Sequence, residues 1–264
     1  MWTVMPQGYT QSPTYFSQIL KADLEDLIFP QGSTLIQYVG DLLCSDTLSS
    51  SQEDGLYLLK QPPKDTKCPK TNFSHACCKL SIWRHIISVK GLSINPDRVR
   101  GILAFPMPTT RKQLRGLLGL AGYCRNWIPN FFLMAQPLYA YLKNEQPDPA
   151  LWSPEGQSAV QQIKEILTNA PALGHPNYKL PFSLFIHEVG GTASGVLTQK
   201  HGDHQRPVGY YSQQLDPVAQ GLPPYVRAIA ATALPYKSVE EIIIGSPLNI
   251  FVPHSLETLL NSHH

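Results

Sequence analysis

Proline occurs 24 times in 264 residues. Each proline fixes φ and removes a backbone donor, and so many of them argue for short elements joined by many connections. Ser12 has the chemistry of a helix cap, and Pro13 suits the first turn behind it. Phe16, Ile19, Leu20, Leu24 and Leu27 then recur at helical spacing and predict one buried stripe. Residues 34–38 and 42–45 predict two short strands around a tight turn.

Further along, Thr110 and Gln113 have the spacing of a capping box, and Leu114, Leu117, Leu118 and Ala121 form the apolar stripe of the helix that follows. Arg111, Lys112 and Arg115 occupy its first turns, within a stretch from Arg98 to Arg125 that holds six basic residues and no acid. Gly116, Gly119 and Gly122 are costly inside a helix, and close packing against a neighbour is the expected reason. A second helix is expected over 131–143. A third opens at Ser153-Pro154, carries Val160, Ile163, Ile166 and Leu167, and ends at Asn169-Ala170-Pro171. Phe182, Leu184 and Ile186 alternate with Ser183, Phe185 and His187 as a strand, and Gly190-Gly191 turns the chain. Strands over 192–199 and 207–212, a helix over 225–234, a strand over 248–252 and a short helix from Ser255 complete the pattern.

Hydrophobic residues at 42% and charged ones at 15% suit a globular protein and exclude a disordered one. A net charge of +2 is too mild to imply nucleic acid by itself. No apolar run reaches the roughly 18 residues of a membrane span, and the first residues lack the regions of a signal peptide. Cys44, Cys68, Cys77, Cys78 and Cys124 form no even framework, so a reducing, intracellular setting is expected. The spacing of Cys68, Cys77, Cys78 and His85 matches no standard zinc arrangement, and His187, His254, His263 and His264 suggest no metal site.

Across the predicted hairpin runs Gln37-Tyr38-Val39-Gly40-Asp41-Leu42-Leu43, and thirty residues upstream stands Met5-Pro6-Gln7-Gly8-Tyr9-Thr10-Gln11-Ser12-Pro13. The second resembles the Leu-Pro-Gln-Gly-Phe-x-x-Ser-Pro signature of retroviral reverse transcriptases. The first resembles their Tyr-x-Asp-Asp turn with its first aspartate replaced by Gly40. The run from Gln113 to Pro129 (QLRGLLGLAGYCRNWIP) resembles the thumb of gammaretrovirus-like enzymes. Ala170–Gly174, Gly195–Gln199 and Gln214–Ala219 resemble their connection domain. About nine tenths of the chain is similar in this way to the pol product of an endogenous retroviral element.

The resemblance implies an α+β fold: a partial polymerase palm over 1–60, an irregular divergent segment over 61–84, and palm end and linker over 85–107. A helical thumb over 108–172 and an α/β ribonuclease H-like connection domain over 173–264 follow. The proline-rich Gln61–Lys70 run defeats the palm helix expected there, and compensating frameshifts would leave such an interruption. In the family the fingers, the first catalytic aspartate and the ribonucleotide-excluding residue lie upstream of the Pro-Gln-Gly signature. The palm sheet is therefore expected to lack a strand and to fold poorly alone.

Gln7 and Tyr38 would face nucleotide or template, and Asp41 would be the surviving half of the catalytic pair and at most the metal ligand. The parent family uses Mg²⁺, which needs clustered carboxylates; with Gly40 in place none is expected to bind here. Ribonuclease H chemistry would also need several acids. Strand one ends Ile186-His187-Glu188, the helix from Tyr225 holds none, and strand four ends Phe251-Val252-Pro253-His254. Arg111, Lys112, Arg115 and Arg125 would contact an RNA/DNA duplex. The expected function is that of a catalytically inactive reverse transcriptase derivative with weak duplex binding. The alternatives are a module that pairs with intact polymerase through the connection domain, and residual polymerase or ribonuclease H activity.

Overall fold

The computed structural model describes residues 10–25, 27–38, 41–45, 54, 79–82, 85–143 and 152–253. Gln7, Val39, Gly40, the proline-rich run and the helix expected from Ser255 lie outside the described residues. The chain forms two compact units, Met1–Leu80 and Ser81–His264.

In the first unit, helix α1 (Ser12–Glu25) buries Leu20 and Leu24 with Phe29, and Phe16, Leu27, Leu35 and Leu42 pack around them. Ile19 departs from the expected stripe and is exposed. Strands β1 (Thr34–Tyr38) and β2 (Asp41–Ser45) pair antiparallel, with Tyr38 opposite Asp41 at the closing end. Asp54 is fully buried and accepts the backbone N–H groups of Gln31 and Ser33, both at 3.0 Å. Burial works to raise its carboxyl, but the hydrogen bonds from Gln31 and Ser33 outweigh it and hold the group below its ordinary value.

A three-stranded sheet follows, β3 (Lys79–Ile82, which spans the division at Leu80), β4 (His85–Ser88) and β5 (Gly91–Ile94), in that order. β3 falls within the 61–84 segment. Helix α2 (Pro96–Ala104) starts at Asn95, whose side chain accepts the Asp97 N–H at 2.8 Å. Helices α3 (Arg111–Tyr123), α4 (Phe131–Ala140) and α5 (Pro154–Thr168) then build one core around Leu114, Leu117, Leu138, Ile163 and Leu167. Ile94, Ile102 and Leu173 belong to the same core, so hairpin, α2 and helical bundle are packed together. α4 ends three residues short of the expected boundary, at Ala140. Lys164 ties α5 to α2, its Nζ donating to the Leu103 and Phe105 carbonyls at 3.1 and 2.5 Å.

The last part is a four-stranded sheet in the order β8-β7-β6-β9, made of β6 (Phe182–Val189), β7 (Thr192–His201), β8 (His204–Gln214) and β9 (Leu248–Phe251). β6 runs antiparallel to β7 and parallel to β9. The short α6 (Pro217–Gln220) leads to α7 (Pro224–Ile243), which covers one face and buries Val239 and Ile243 against Phe182, Leu184, Ile186 and Leu197. α7 extends nine residues beyond the end predicted at Leu234. Pro235 lacks the donor that continues a helix, yet its ring lies buried where Gly195 of β7 carries no side chain. Packing against the sheet carries the helix through. It stops at Ile244 and Gly245, both with left-handed φ (+48° and +72°).

Candidate nucleic-acid interface

The start of α3 is held by a complete capping box. Thr110 Oγ1 accepts the Gln113 N–H at 3.3 Å, and Gln113 Oε1 accepts the N–H of Thr109 at 2.7 Å and of Thr110 at 3.3 Å. The expected stripe of Leu114, Leu117, Leu118 and Ala121 is buried. That rotation leaves Lys112 and Arg115 exposed and Arg111 half-exposed, with Arg111 Nη1 lying 3.5 Å from the Lys143 carbonyl. Three cations thus stand at the positive end of a helix dipole whose first turn holds no acid. A helix start of this kind favours an anion. Arg125 is also exposed, but it follows the helix and lies about 20 Å further along its axis.

The glycines of α3 are not packed as expected. A Cβ at Gly116 would meet only the Phe105 ring, at 3.7 Å, and among the described residues nothing lies within 4 Å of one at Gly119 or Gly122. They leave the backbone open on its outer side.

The far end of α3 is pinned by rings. His85 stacks with Tyr123 and Trp127 at centroid distances of 4.9 and 5.1 Å, and the Arg98 guanidinium lies 3.7 Å over the Tyr123 ring. Burial lowers the His85 pKa, and Arg98 lowers it further. Burial likewise raises the Cys124 thiol, partly offset by Arg98, which leaves this free cysteine a packing residue.

The turn between β4 and β5 is gripped from the sheet side. His175 Nε2 donates to the Ser88 carbonyl at 2.7 Å, an Arg206 Nη donates to the Lys90 carbonyl, and Leu173 bridges to Leu92. Val89, at the tip, is 87% exposed. None of these partners was legible in the sequence, because the contacts join residues 80 or more positions apart.

Tyr38 and Asp41 lie at the ends of β1 and β2; Gln7 and Gly40 are outside the described residues. At the other expected catalytic neighbourhood, Glu188 Oε2 accepts Arg227 Nε at 2.9 Å and Oε1 accepts the Gly191 N–H at 2.8 Å. His187 stands beside it on the opposite sheet face. Among the described residues no group of three His, Cys, Asp or Glu side chains could hold a metal ion.

Residues 152–250 match the RNase H-like domain found in reverse transcriptase. Over 98% of its length the chain is 40% identical to the Pol polyprotein of feline endogenous virus ECE1 and 39% identical to the Gag-Pol polyprotein of baboon endogenous virus (strain M7). It spans 25% and 15% of those two polyproteins. Foamy viral protease-reverse transcriptase in complex with dsDNA shares the fold with a TM-score of 0.78 at 20% identity, covering 98% of this chain and 54% of that one. The same protein in complex with RNA/DNA hybrid gives 0.74 at 20% identity, covering 99% of this chain and 35% of that one. Fold and sequence together define an α+β protein of the reverse transcriptase class with an RNase H-like domain. Over nearly its whole length the chain is homologous to part of the Pol and Gag-Pol polyproteins of gammaretroviruses.

Proposed function

We propose that this chain is a non-catalytic, duplex-binding segment of reverse transcriptase descent. The observation that carries it is the acid-free start of α3, where Arg111, Lys112 and Arg115 face outward from a helix fixed by its capping box. Phosphate oxygens satisfy such a cluster, and the open backbone at Gly119 and Gly122 leaves room for close approach. Arg125, about 20 Å away, would meet a phosphate further along the duplex. That structural neighbours of this fold are complexes with dsDNA and RNA/DNA hybrid supports the same reading.

Polymerase and ribonuclease H chemistry in this class depends on divalent metal held by several carboxylates. The residues present do not fit that demand. Gly40 replaces one acid of the turn, leaving Asp41, and Glu188 is already engaged by Arg227. Duplex binding followed by fluorescence anisotropy across a salt series tests the first half of the proposal. Primer extension with Mg²⁺ tests the second, and incorporation above background by the wild-type chain would overturn it.

A second reading, pairing with an intact polymerase, is favoured by one observation. Phe185 and Phe251 stack at 4.7 Å and remain 37% and 47% exposed on the β6–β9 side of the sheet. Co-purification with a full-length retroviral polymerase, lost in Phe251→Ser, is the matching test.

A further inference from the structure

Glu188 and Arg227 are joined where an RNase H-like sheet would gather cations, at the end of β6 beside the first turns of α7. The Glu188 side chain is 12% exposed and that of Arg227 30%, so each charge depends on the other for compensation. Both carboxylate oxygens are taken, one by Arg227 and one by the Gly191 N–H across the Gly190-Gly191 turn. Among the described residues Glu188 belongs to no group of three His, Cys, Asp or Glu side chains that could hold a metal. The end of β9 offers Phe251, Val252 and Pro253, and the acids of α7, Glu240 and Glu241, lie about 20 Å from Arg227 along its axis. A divalent ion at Glu188 would have to displace a guanidinium that repels it.

We propose that Arg227 takes the place of the metal: its guanidinium supplies the positive charge that Glu188 requires and pins the β6–β7 turn to α7. The sheet end thereby keeps its shape with a built-in cation. This rests on the non-catalytic reading above, but not on duplex binding.

The test compares the full chain with Arg227→Ala, Arg227→Lys, Glu188→Gln and the double variant Glu188→Gln/Arg227→Ala. Thermal unfolding is followed with and without millimolar Mn²⁺, and Mn²⁺ binding is read by electron paramagnetic resonance. The wild type and Arg227→Lys should unfold at the same temperature whether or not Mn²⁺ is present. Arg227→Ala should unfold about 5 °C lower or more, and adding Glu188→Gln should restore part of that loss by removing the uncompensated carboxylate. The double variant, holding neither charge, should ignore Mn²⁺. Stabilisation of the wild type by Mn²⁺ that vanishes in Glu188→Gln would overturn the proposal, because Glu188 would then be a metal ligand despite Arg227. A loss in Arg227→Ala that the double variant does not recover would also overturn it, since Arg227 would then act by packing. Should Arg227→Ala not fold at all, folding of the double variant supports charge replacement and its failure to fold overturns it. Duplex affinity is measured separately, so either reading can fail without the other.

Discussion

Leu92 and Leu173 exchange two backbone hydrogen bonds, each 2.9 Å, and so splice the β4–β5 hairpin to the segment that leads into the sheet. The splice requires that nothing stand between them. Gly91 has φ +119°, and a Cβ there would overlap the Leu173 carbonyl oxygen and lie 2.7 Å from an Arg206 Nη. Gly91→Ala should therefore destabilise the second unit by about 2 kcal/mol or more, read as a lower urea midpoint with unchanged slope. A wild-type midpoint would mean that the hairpin is not held by this splice.

Arg111→Ala with Arg115→Ala should weaken duplex binding and reduce the log–log salt slope by about two, since two phosphates would no longer be neutralised. An unchanged slope would reduce this face of α3 to a solvated helix surface.

Primer extension by Gly40→Asp should remain at background. The variant adds one acid beside Asp41, whereas a two-metal site needs several carboxylates around it. Template-dependent incorporation by this variant, and none by wild type, would show that Gly40 alone silences the polymerase.

His85 titrates below its ordinary value of 6.5, through burial and the nearby Arg98. The folded state thus binds its proton less tightly than the unfolded chain does. The associated stability is complete above about pH 6.5 and is lost as the pH falls through the lower folded value. His85→Phe, which keeps a ring between β4 and α3, should flatten the fall in melting temperature between about pH 7 and pH 5. If the two proteins keep parallel profiles, His85 is not the titrating group.

Asp54 shows the same sign at more acid pH. Its carboxyl is held below the usual 3.8 by hydrogen bonds that outweigh burial. Its contribution is present above that value and disappears as the pH falls through the folded one. In acid, the Gln31 and Ser33 amides should lose hydrogen-exchange protection together, and Asp54→Asn should lack that protection already at neutral pH. Amides that stay protected in the variant would show that the loop is held by other contacts.

Periodicity was a sound guide wherever a local interaction decided the outcome. Thr110 and Gln113 close a helix start within four residues, and Leu114, Leu117, Leu118 and Ala121 share one side of a helix whatever the helix meets. Gly190 and Gly191 turn the chain because both hold positive φ, +58° and +74°. The same reasoning stopped α7 too early. Pro235 is a local stop signal, and only its burial beside Gly195 reverses that signal. Gly119 and Gly122 suggest close neighbours through their cost inside a helix, but among the described residues none lies within 4 Å of a Cβ at either.

The amino-acid order alone determined the class of protein and those strands and helices whose caps and periodicity are written in short contiguous motifs, while the strands over 79–94 and the helix over 96–104 are not among those it predicts. Tertiary structure alone decided what the isolated charges do. Arg227 reaches Glu188 across 39 positions and Arg206 reaches Lys90 across 116, and no spacing rule connects residues that far apart. Which cation answers which carboxylate or carbonyl depends on how helices and strands pack. That packing is set by buried apolar surface summed over the whole unit, not by the residues beside the charge.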